Sequence, residues 1–165
     1  MRTAVVLISV LGMSGGASAE EKKIAESGVP KPVIEKVKKK YPAAKLTSFE
    51  LENENGKSSY EVKLTDGKKE LEVVCSPDGK ILAEEEKIAA DAVPDVVLQA
   101  LKSNAKFGTW TLETAERVVF AEKVDAPSYE LKVVKGKLRA ELVFTGDGKL
   151  TKTEESAPQE KKHTK

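Results

Sequence analysis

The chain has 165 residues, 28 basic against 27 acidic, with a single histidine and a single cysteine. Charges of both signs are interleaved along its length and do not form the basic stripe of a nucleic-acid binder, so no nucleic-acid partner is expected. One cysteine cannot form an internal disulfide, and one histidine, His163 near the C-terminus, gives no Ser-His-Asp triad. Stability must therefore come from packing, and an enzyme is not expected.

Residues 1–19 read as a secretory signal peptide. Arg2 is the positive flank, Thr3 to Met13 the apolar stretch, and Ala17-Ser18-Ala19 the small-residue site, with cleavage between Ala19 and Glu20. The apolar stretch falls short of the roughly 20 residues that cross a bilayer. A periplasmic or secreted mature chain without a membrane span is expected. Its removal takes one base and no acid, which leaves the mature charges balanced.

Residues 20–30, EEKKIAESGVP, return at residues 84–94 as EEEKIAADAVP. Tyr60-Glu61-Val62-Lys63-Leu64 returns as Tyr129-Glu130-Leu131-Lys132-Val133, and Asp78-Gly79-Lys80-Ile81 as Asp147-Gly148-Lys149-Leu150. One unit is used twice, over residues 20–88 and 89–153. The chain from Glu154 to Lys165 has no apolar period and is expected to be a disordered tail.

Each copy opens with a helix after a proline, which suits a first turn because that N–H has no intrahelical partner. Val33, Ile34, Val37 and Tyr41 make the apolar stripe of the first, and Val97, Leu98, Leu101 and Ala105 that of the second. The period then changes to two. Phe49 and Leu51, then Tyr60, Val62 and Leu64, then Leu71, Val73 and Cys75 alternate with charged residues, and Lys80 to Ile88 follows less cleanly. In the second copy the runs are Val118 and Phe120, then Tyr129, Leu131 and Val133, then Leu138, Ala140, Leu142 and Phe144. Asn55-Gly56, Asp66-Gly67, Asp78-Gly79 and Asp147-Gly148 supply hairpin turns. Alternation buries one sheet face and wets the other. The expected fold class is α+β, two tandem modules, each a helix packed on an antiparallel sheet of about four strands.

The order of these signals resembles the PepSY-like domain, in the tandem form grouped as the beta-lactamase-inhibitor-like, PepSY-like family. The resemblance is carried by Pro30, Tyr41-Pro42, Tyr60-Glu61-Val62, Gly67, Glu72-Val73 and Asp78-Gly79-Lys80. In the second copy it is carried by Pro94, Tyr129-Glu130-Leu131, Gly136, Glu141-Leu142 and Asp147-Gly148-Lys149. Where Tyr-Pro is expected, the second copy has Ala105-Lys106 and then Phe107-Gly108-Thr109-Trp110. The resemblance implies an exported, non-catalytic protein that binds or inhibits a protein or peptide of the cell envelope, peptidases among them.

The candidate binding positions lie on the sheet faces away from the helices. Glu50, Glu52, Glu61, Lys63, Glu70 and Glu72 form an acidic set in the first module, and Glu130, Lys132, Arg139 and Glu141 a balanced one in the second. Trp110 is either an interface anchor or a cover for the second helix end. Cys75 aligns with Phe144 and reads as a core position. No cofactor and no metal site are expected, because calcium wants six to eight converging oxygens. An alternative from another class is an acidic, calcium-responsive envelope module without a dedicated protein target.

Overall fold

The computed structural model describes residues 20–54 and 56–156. The expected signal peptide, the Ala19 side of its cleavage site and His163 lie outside the described residues. Strands β1 (Glu20–Ile24), β2 (Lys45–Glu54), β3 (Lys57–Asp66), β4 (Lys69–Cys75), β5 (Ile81–Ile88), β6 (Thr111–Phe120), β7 (Ser128–Lys135), β8 (Leu138–Thr145) and β9 (Leu150–Ser156) accompany two helices, α1 (Lys31–Lys40) and α2 (Asp95–Ser103).

The expected architecture of two tandem modules, each a helix on a sheet of about four strands, is corrected by the strand order. The nine strands follow one another in chain order, β1 to β9, in one antiparallel sheet, and the helical part is only two short helices. The reason lies in the repeat itself. Glu84–Ile88 is the second copy of Glu20–Ile24, and it also forms the end of β5, the strand that completes the first copy. One strand is read twice, so two separate sheets cannot be counted. The last strand, β9, includes Glu154 to Ser156, so these residues are strand rather than tail.

The chain divides into two compact units. The first runs to Glu86 and includes Val119–Val124; the second comprises Lys87–Val118 and the chain from Asp125. Their registers repeat down to the irregularities. Bulges fall between Leu46 and Ser48 in the first unit and between Leu112 and Thr114 in the second. A second pair falls between Val74 and Cys75 and between Val143 and Phe144. A bulge re-aims the residues on either side of it, so these matched irregularities keep the two faces in phase in both units.

In the first unit Val33 and Val37 of α1 are fully buried, against Val62, Leu64, Leu71, Val73 and Cys75. In the second, Val97 and Leu101 of α2 pack against Leu131, Val133, Leu142 and Phe144. Each such buried aliphatic side chain contributes about 1.5–3 kcal/mol. Lysines 38 to 40 in the last turn of α1 and Asp95 in the first turn of α2 suit the helix dipole. The stripe expected to reach Ala105 stops short. Asn104 turns the chain there, its Oδ1 accepting from the backbone N–H groups of Lys106 and Phe107, each at 3.0 Å. That turn drops Phe107 into the core, edge-on to Trp110 at 5.1 Å.

The Asp-Gly-Lys turns fasten the sheet to the start of each helix. Gly79 has φ 85° and Gly148 φ 86°. A Cβ on Gly79 would stand 2.6 Å from the Pro32 carbonyl oxygen, and one on Gly148 2.9 Å from that of Val96. The Ser76 and Thr145 hydroxyls donate to Asp78 and Asp147, and these bonds hold both carboxyls below their ordinary range. Gly79→Ala combines a left-handed backbone with a clash against main chain. It is expected to cost about 2–3 kcal/mol, read from urea unfolding; a loss under about 0.5 kcal/mol would mean that the turn is not clamped to α1.

Candidate binding face

Because side chains alternate across a strand, the face turned away from α1 carries Glu50 from β2, Glu61 and Lys63 from β3, Glu72 and Val74 from β4, and Ala83 and Glu85 from β5. The register sets Glu50 directly opposite Glu61, Lys63 opposite Glu72, and Glu72 opposite Glu85. The second unit reproduces the pattern. Glu116 faces Glu130, Lys132 faces Glu141, and Glu141 faces Glu154. Like charges set directly across a ladder destabilise it, so each unit needs a compensating cation.

That cation is a lysine. Lys63 Nζ lies 3.0 Å from Glu61 and 3.1 Å from Glu72. Lys132 Nζ lies 3.5 Å from Glu116, 3.4 Å from Glu130 and 3.7 Å from Glu141. Burial alone would lower the Lys63 pKa, but the Glu61 and Glu72 carboxylates outweigh it and hold the ammonium above its ordinary range. Each ammonium already sits among its carboxylates, where a calcium ion would need six to eight converging oxygens.

The wet face expected for these residues is corrected in its burial. Glu50 and Glu130 are each 1% exposed, and Glu61 and Glu141 are also buried. Lys63, Lys132, Glu72 and Glu52 are half-buried, while Glu70 and Arg139 are exposed. The alternation places side chains on a face but does not say whether water reaches them. Glu52 accepts a hydrogen bond from Ser59 Oγ at 3.3 Å, and Arg139 donates to Glu113. Trp110 is half-buried against the second core, away from the carboxylate cluster. Glu116 was not among the expected residues. It is the counterpart of Glu50, found at an offset of 66 that lies between the offsets of the flanking repeats.

Burial first, and then the neighbouring Glu72 carboxylate, push the Glu61 carboxyl up to about 9. Burial also raises Glu141, but a hydrogen bond with Glu130 and the Lys132 charge pull it back. Cys75 lies fully buried on the opposite face, and burial pushes its thiol up to about 11; it is a core residue and not a nucleophile.

With this geometry in hand, comparison with known proteins places the chain. The family described as "Peptidase propeptide and YPEB domain" (PepSY) matches residues 32–85. The family described as "Putative beta-lactamase-inhibitor-like, PepSY-like" matches residues 81–152. Their overlap falls on β5, the strand shared by the two copies. Among solved structures, a "putative periplasmic" protein of Bacteroides eggerthii is similar at 20% identity and a TM-score of 0.65, covering 77% of this chain and 88% of that one. A DUF2874 family protein of Bacteroides uniformis is similar at 15% identity and a TM-score of 0.64, covering 77% and 89%. A BLIP-like protein of Bacteroides fragilis is similar at 17% identity and a TM-score of 0.59, covering 84% and 96%. At these identities the likeness establishes the fold. No curated protein matches.

The raised Glu61 pKa has a stability consequence of definite sign. A carboxyl held near 9 when folded, against an ordinary value of 4.5, binds its proton more tightly in the native state. Its contribution is complete below about pH 4.5 and is lost as pH rises toward 9. The melting temperature is expected to fall between pH 5 and pH 9. Glu61→Gln, which keeps the shape without the titration, should flatten that slope and melt higher than the parent at pH 8.5. Parallel pH profiles for the two proteins would remove Glu61 as the proton holder.

Proposed function

We propose, for a chain that belongs to the PepSY-like family by its tandem PepSY and PepSY-like domains, the role of an exported, non-catalytic binding protein. In this reading it docks an envelope protein or peptide on the polar sheet face and modulates it, a peptidase being one candidate. The observation that carries the reading is the repeated charged face. On the side without a helix, one lysine pairs with two carboxylates in the first unit and with three in the second. A surface kept only for solubility has no need of carboxylates removed from water, which costs several kcal/mol per ion unless compensated.

Two further considerations support it. A BLIP-like protein and a protein described as periplasmic share the fold, which suits an exported inhibitor-like module. The sequence supplies no histidine-based catalytic set. Exposed Glu70 and half-buried Glu52 flank the cluster on the first unit, where they can meet a partner's basic side chains and set the encounter rate.

Capture from an envelope extract by the immobilised mature chain tests this. Glu52→Lys with Glu70→Lys should weaken the captured complex by about tenfold or more. Lys36→Glu with Lys39→Glu, on the solvent side of α1, should leave it unchanged. Equal capture by both variants would exclude the polar face as the docking site.

A further inference from the structure

We infer that the Glu50–Glu61–Glu72 cluster of the first unit takes a cationic side chain of the partner, a lysine or an arginine, in exchange for a proton released to the solvent. This rests on the docking role proposed above and specifies the chemistry the face would recognise.

The cluster is short of donors. Glu50 is 1% exposed, yet neither of its carboxylate oxygens accepts a hydrogen bond. Lys23 Nζ stands 3.6 Å away, beyond hydrogen-bonding reach, on a side chain that is 73% exposed. Glu61 Oε1 accepts none either, although Lys63 Nζ pairs with it at 3.0 Å. A buried carboxylate without donors is unfavourable by several kcal/mol. One internal ammonium serves Glu61 and Glu72, and Glu50 has only the Lys23 ammonium at 3.6 Å, on an exposed side chain.

The charge balance points the same way. Glu61 is faced by Glu50 and Glu52 from β2, by Lys63 on its own strand, by Glu72 from β4 and, beyond it, by Glu85 from β5. With so many carboxyl groups and one central lysine, Glu61 keeps its proton at neutral pH. That proton occupies the place of a second positive charge. The Glu72 side chain is 24% exposed and gives an approach from solvent. A partner's ammonium or guanidinium arriving beside Glu72 supplies the missing charge and donors. Glu61 then ionises, and its proton passes to the buffer.

The second unit differs in how its third carboxylate is served, although Glu141 Oε1 accepts no hydrogen bond there either. Lys132 lies within 3.4 to 3.7 Å of all three of its carboxylates, so its cation is already shared among them. The exchange therefore belongs to the first unit.

Calorimetry of the mature chain with a blocked tetra-arginine peptide, in phosphate and in Tris at pH 7.5, tests the inference. The parent is expected to bind with heats that differ between buffers by about one released proton. Affinity should rise with pH between 6 and 8, by up to about tenfold per unit. Glu61→Gln should bind with buffer-independent heat and a flat pH profile, while Glu35→Gln, on the exposed side of α1, should behave as the parent. Binding by the parent with buffer-independent heat overturns the exchange and leaves the docking face standing. No binding of the peptide at either pH overturns the cationic partner, whereas the docking face itself is judged separately by envelope capture with the Glu52 and Glu70 changes.

Discussion

A single ammonium among cross-strand carboxylates governs what each half of this sheet can be. Lys63 holds Glu61 and Glu72 at about ion-pair distance, and Lys132 does the same for Glu116, Glu130 and Glu141. Remove that charge and the register itself becomes unfavourable, because Glu50 is set against Glu61 and Glu116 against Glu130. A face so occupied cannot accept a second apolar layer. The helices are therefore confined to the other face.

The apolar side is organised to keep that arrangement in phase. Each Asp-Gly-Lys turn presses a left-handed glycine onto the first turn of its helix, so helix and strand positions are fixed to one another. The far end of the helix is closed differently in the two units. In the first, Tyr41 Oη donates to Glu84 at 2.7 Å and Lys40 reaches the same carboxylate at 2.6 Å. Burial, and then this bond to Glu84, raise the phenol's pKa above its ordinary range. In the second, Thr153 takes the ladder place of Glu84, opposite Leu142 as Glu84 is opposite Val73, and the core is closed by Phe107 and Trp110 instead. Trp110 thus covers a helix end, which accounts for its presence where the two copies diverge.

Much of this was legible in the sequence, for physical reasons. Helix stripes and strand alternation register directly as periods, and a left-handed turn selects Asp-Gly, so α1, α2, β3, β4, β7 and β8 could be located. Cys75 could be assigned to the core because its counterpart is Phe144. Strand β1 was hidden because EEKKI carries one apolar residue and no alternation; only its reappearance at the end of β5 betrays it. The single sheet was hidden for the same reason, since residues 84–88 end one copy and begin the next. Burial of the carboxylates was illegible because period two fixes a face but not its access to water. Glu116 was masked by an insertion that shifts its offset from those on either side.

Repetition supplied identical registers but not identical electrostatics, and the difference turns on a few tenths of an ångström. In the second unit one ammonium is nearly equidistant from three carboxylates, and Glu141, though raised by burial, is drawn back by Glu130 and Lys132. In the first, the ammonium leans toward two carboxyls, Glu50 is left without a hydrogen bond, and burial and Glu72 raise the Glu61 carboxyl. Backbone pairing cannot distinguish these states, because Glu50–Glu61 and Glu116–Glu130 occupy the same ladder positions. What separates them is how far one lysine's charge is shared. A duplicated scaffold can in this way hold two faces that share a lysine's charge to different degrees, with no change of fold between them.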